Sequence, residues 1–125
     1  MTLNKDFNRS LANVTGNKTL TAADSGIVQV VKADGVVITL PATAADVTFT
    51  IRNGSTYDGQ YAFTVAPAAA DGVTGNGFTA AINKAIVSSK ATSRAADEFT
   101  ISGTGTTGAT GWIFQEVIGT VTRAA

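Results

Sequence analysis

The sequence contains no cysteine and no histidine. Without thiols there is no disulfide framework and no thiolate metal site, and zinc centres built from Cys and His are excluded. Ser-His-Asp and Cys-His catalysis are excluded as well, because neither the imidazole base nor the thiolate is available. Charge is also scarce: Lys, Arg, Asp and Glu make up 14% of the chain, nine basic against nine acidic, for a net charge of zero. With no basic stripe for phosphates and no like-charge tract, neither nucleic acid nor a membrane surface is an expected partner. No apolar run approaches membrane-spanning length, and the opening MTLNKDFNRSL lacks the apolar core of a signal peptide. The expectation is a protein used without passing through general secretion, so the Asn-x-Ser/Thr triplets at Asn13, Asn17 and Asn53 are read as incidental.

What is present is a strand-forming composition. The 125 residues suit one domain, 44% of them are hydrophobic, and Thr and Gly carry much of the rest with only two prolines. Residues 27–32 (IVQVVK) and 36–40 (VVITL) flank Asp34-Gly35 and predict a hairpin, apolar enough to be buried on both faces. Residues 47–52 (VTFTIR) alternate strictly, turning Val47, Phe49 and Ile51 one way. Residues 60–66 do likewise with Tyr61, Phe63 and Val65, and residues 53–59 supply a turn between the two. Residues 67–80 are too rich in glycine for a helix, residues 85–89 form a weak strand candidate, and residues 92–97 predict one helical turn. Residues 98–102 (EFTIS) alternate again, residues 103–108 are a glycine-threonine loop, and residues 111–122 close the chain. The fold expected is all-β, a small antiparallel β-sandwich or barrel-like domain over residues 18–125.

Residues 1–17 read as a separate N-terminal arm. Leu3, Phe7 and Leu11 recur at four-residue spacing and would share one face of a short helix, with Thr2 as its N-cap. Lys5 and Arg9 flank that stripe. A segment so short holds a helix only by leaning on another surface.

The remaining chemistry is carboxylate chemistry, and its placement argues against catalysis. Asp24, Asp34, Asp58 and Asp71 each sit beside glycine or serine, where a turn wants Asp. Asp97 and Glu98 are neighbours and point to opposite faces of a strand. The run DGVTGNG from Asp71 lacks the spacing and closing Glu of a calcium loop, and the glycines from Gly103 lack the Lys of a phosphate loop. Trp112, Tyr57 and Tyr61 would make a sugar-stacking platform if exposed, but the alternation of Trp112 with Phe114 places the indole in the core. No catalytic, metal or cofactor residue is expected.

Residues 19–26 (TLTAADSG), the segment ending Thr39-Leu40-Pro41-Ala42, an alternating strand and the late Trp112 strand leading to Gly119 together resemble a β-module of tailed-bacteriophage virion proteins, especially capsid decoration (cement) proteins. The resemblance spans about residues 19–121, with fewer residues after Trp112 than the commonest form. It implies a β-sandwich, commonly a homotrimer, that binds the major capsid protein on the outside of the head and stabilises the shell. It brings no catalytic residues. The location implied is the virion, assembled in the host cytoplasm, with Leu3, Lys5, Phe7, Arg9 and Leu11 as candidate capsid contacts. The alternative is a tail-fibre, receptor-binding or carbohydrate-binding β-module, because sandwiches of this kind carry all of these roles.

Overall fold

A computed structural model describes residues 10–124 apart from Asn76. Eleven strands run in chain order: β1 (Leu11–Val14), β2 (Lys18–Thr19), β3 (Val28–Val31), β4 (Val36–Thr39), β5 (Thr48–Asn53), β6 (Phe63–Ala66), β7 (Val73–Thr74), β8 (Ile86–Ser88), β9 (Glu98–Gly103), β10 (Trp112–Ile118) and β11 (Thr122–Arg123). A 3-10 turn, Ala22–Asp24, precedes β3, with the Asp24 carboxylate accepting from the Thr21 amide at 2.9 Å. The strands form two sheets that pack face to face as a β-sandwich. Sheet A has the order β1-β3-β5-β9-β10-β7 and sheet B the order β11-β8-β6-β4-β2.

The sandwich agrees with the sequence reading, but its connections do not. The chain alternates between sheets from β1 to β9, so β1, β3 and β5 pair in parallel in sheet A while β2, β4 and β6 pair in parallel in sheet B. Both sheets are therefore mixed rather than antiparallel. The predicted hairpin around Asp34-Gly35 is an arch: β3 lies in sheet A and β4 in sheet B. The physical reason is the connection. Residues 32–35 are longer than the two-residue loop a tight D-G hairpin needs, and they step across the ~10 Å between packed sheets. Residues 54–62 make the same step between β5 and β6, so that pair is not a hairpin either. Among the described residues, the only sequence-adjacent strands paired within a sheet are β9 and β10.

Strand alternation sets the core. In β5 every second residue is buried, which turns Phe49, Ile51 and Asn53 inward. Trp112, Phe49, Phe63, Phe99 and Ile101 share one cluster, as expected. Phe49 and Trp112 have ring centroids 5.6 Å apart, and Phe99 meets Phe114 edge-on at 5.0 Å. β3 is buried at all four positions, including Gln29, whose Oε1 accepts from Lys18 Nζ at 2.7 Å. The two outer faces differ. Sheet A is laced by polar pairs: Arg52 with Glu98 at 2.9 Å, and Thr48 with Ser102 at 3.1 Å. Sheet B carries Val37, Thr64, Val87 and Thr122 as one row across β4, β6, β8 and β11.

Candidate binding site

Of the arm, residues 10–17 are described. Leu3, Lys5, Phe7 and Arg9 lie outside the described residues. Leu11, placed by its spacing on a helical face, instead opens β1, paired in register with Val28 and 55% exposed. Residues 11–14 (LANV) include a β-branched Val and gain ladder hydrogen bonds by joining β3, which outweighs a marginal helical stripe. The sandwich thus begins inside the segment read as an arm.

The loops gather at two ends, and each end is held by a buried polar hub. At one end, residues 40–47, 67–72 and 104–111 meet on Asp71, which is almost fully buried. Its carboxylate accepts from the Thr43 amide at 2.9 Å and the Gly108 amide at 3.2 Å. The Thr43 hydroxyl donates to the Gly111 carbonyl and accepts from the Thr104 and Gly105 amides. Asp71 is therefore a clamp across three loops. Among the described residues, no group of three or more His, Cys, Asp or Glu is placed to hold a metal.

At the opposite end, residues 54–62 and 89–97 are stitched together over Asn53. Its Nδ2 donates to Ser93 Oγ at 2.6 Å, and its Oδ1 accepts from the Ser55 amide at 3.0 Å. Its backbone bonds Asp97 and Ala96, and Gly59 donates to the Ser93 carbonyl at 2.8 Å. Ala96 is held at φ 69, a left-handed conformation that alanine adopts only when its surroundings impose it. The predicted helical turn over residues 92–97 is replaced by these linked turns: Ala96 leaves the right-handed helical region, and the Asp58 and Asp97 carboxylates hold the Ala95 and Arg94 amides.

On this floor lie two adjoining depressions of about 360 and 390 Å³ that share Thr92, Arg94 and Thr120. Asp58 and Lys90 line the first, Asp97 and Gly119 the second. Gly119 sits at φ 111, and a Cβ there would run into the Asp97 carboxylate, so only glycine closes this wall. Burial pushes the Asp97 carboxyl above its ordinary value, against the pull of the Arg94 amide and guanidinium, and Asp58 pushes the same way as burial. Asp34 is held low by the Lys90 ammonium, 2.7 Å away. Tyr57, next to Asp58 in the chain, is 61% exposed, while Trp112 is wholly buried.

Sequence reasoning missed Asn53 and Ser93 as a hub. The signal was available for Asn53: it continues the inward parity of Phe49 and Ile51, so a buried amide at that position demands partners. Ser93 carried no such signal, because it sits in an irregular loop.

Fold and site define a small mixed β-sandwich with two stitched loop ends, one closed over a carboxylate and one open as a polar groove. No protein-family model matches the chain, and no curated protein matches it.

Proposed function

We propose that the protein is a non-catalytic structural module of a tailed-phage virion, a capsid decoration protein that self-associates as a homotrimer and binds the major capsid protein on the head surface. The observation that carries the assembly part is the outer face of sheet B. Val37, Thr64, Val87 and Thr122 form an uncharged β-branched row across four strands, and the first three line a shallow depression of about 320 Å³ together with Val36, Phe63 and, as its one charged residue, Lys90. A second copy suits this face, since zero net charge leaves no repulsion to overcome and β-branched rows pack flat on one another. The virion assignment draws its support from the resemblance of residues 19–26, 39–42 and the Trp112 strand. Multivalent attachment of a trimer would hold neighbouring coat subunits through contacts that are individually modest.

Light scattering of the purified chain is expected to give the mass of a trimer of 12.7 kDa subunits. The variant Val87→Lys is expected to give a folded monomer, because it places a charge in the middle of the row. Incubation with undecorated phage heads followed by electron microscopy should show added density at fixed sites of the lattice. A monomeric parent overturns the trimer, and bare heads overturn the decoration role.

A further inference from the structure

The groove at the Asn53 end meets the proposed assembly face only at Lys90, which lines both, and its composition is specific. It is walled by Asp58 and Asp97 on the acceptor side, Lys90 and Arg94 on the donor side, and the hydroxyls of Thr92 and Thr120. This mixture decides between ligand classes. An anion would meet two carboxylates, and a cation would meet a guanidinium and an ammonium. A divalent metal has no cluster of ligands among the described residues. A neutral molecule dense in hydroxyl groups matches all six side chains at once, since each hydroxyl both donates and accepts.

The other features are those of a preformed site. The floor is fixed by the Asn53–Ser93 bond of 2.6 Å and by the Gly59 amide on Ser93, so little ordering cost falls on the ligand. The Asp58 and Asp97 carboxylates are themselves oriented by the Ala95 and Arg94 amides. Tyr57 lies outside the lining of both depressions, but it is 61% exposed and joined by one peptide bond to Asp58, which lines the first. Sugar rings present an apolar face bordered by hydroxyls, and an aromatic ring beside directed polar groups suits them.

We propose that the groove between residues 54–62 and 89–97 binds a neutral carbohydrate chain, with Tyr57 as the stacking platform and Asp58, Arg94, Asp97 and Thr120 as hydroxyl partners. The site stands whether or not the chain decorates a capsid.

The test is a titration of the isotope-labelled full chain with maltohexaose, cellohexaose and chitohexaose, followed by amide NMR, with a heparin-derived hexasaccharide as the anionic control. The expected result is saturable shifts at Gly59, Thr92, Arg94 and Thr120 with at least one neutral hexasaccharide. Binding should weaken by about tenfold or more in Tyr57→Ala and in Arg94→Ala, the loss of one good contact. Both side chains are exposed, so both variants should keep the parent spectrum elsewhere; Thr92→Val replaces either one that does not. Failure of all three neutral sugars to shift these amides, shifts confined to another surface, binding of the sulfated control alone, or unweakened variants would each overturn the proposal.

Discussion

The two loop ends solve one problem with opposite chemistry. At the Asp71 end a carboxylate is buried and its charge is satisfied by backbone amides of two other loops. At the Asn53 end the buried hub is a neutral amide, and the charges stand outside it on the rim. A buried carboxylate holds loops strongly but offers solvent nothing. A buried amide holds them less strongly, yet leaves Asp58, Lys90, Arg94 and Asp97 to face a ligand. Charge is scarce in this chain, so its concentration around one end distinguishes the two functionally.

Substitutions sharpen the contrast. The largest effect belongs to the core beside the clamp, where the Trp112 amide donates to the Gly72 carbonyl. Trp112→Ala is expected to cost about 3–5 kcal/mol in denaturant unfolding, the range for emptying a large aromatic site. Trp112→Phe should cost clearly less, because a phenyl ring refills most of the site and the buried indole Nε1 has no acceptor to lose. Equal losses in the two variants would mean that filling the aromatic site does not set the cost.

Asp71→Ala follows, at about 2–4 kcal/mol, since it strands two half-buried amides that the buried carboxylate had satisfied. Asn53→Ala should cost about 1–3 kcal/mol for its neutral bonds. If Asn53→Ala proves the more damaging, the ranking of charged over neutral hub fails. Arg94→Ala, on the rim, should stay within about 0.5 kcal/mol of the parent, as surface changes do.

The smallest effect is electrostatic. Asp97 is raised in the folded state, so its contribution favours folding when it is protonated and is lost as pH rises through its folded value. Asp34 is lowered, so its contribution is present above the ordinary carboxylate value and is lost as pH falls. Carboxyl NMR titration should place Asp97 above 3.8 and Asp34 below it. Asp97→Asn should remove the acid-side gain alone. The reverse order of the two midpoints would break the picture of a partly desolvated groove wall facing an ion-paired rim.

Much of this molecule was legible in the sequence, and the boundary is physical. Period-two alternation in residues 47–52 and 98–102 identified strands and their buried faces, because facing is a local property of the backbone. Partner choice is not local. The pattern of residues 27–40 was the same whether β3 paired with β4 or faced it across the core, and the hairpin reading took the commoner outcome. Asp71 read as a turn former and proved a clamp, because its partners Thr43 and Gly108 come from distant segments. Ser93 and the rim residues sit in loops without periodicity, so their convergence on Asn53 had no one-dimensional trace.

The strand that always crosses to the other layer has a kinetic consequence. Because consecutive strands up to β9 lie in different sheets, neither sheet can form from local pairings, and each parallel ladder waits for an intervening strand to be laid down opposite. Loop closure is therefore paid repeatedly before any ladder rewards it, which places folding among the slower, milliseconds-to-seconds class. The exception is β9–β10, whose residues pair directly from Trp112 with Gly103 to Ile118 with Glu98. That hairpin carries Phe99, Ile101, Trp112 and Phe114 into the cluster at once, and it is the natural nucleus on which the earlier arches condense.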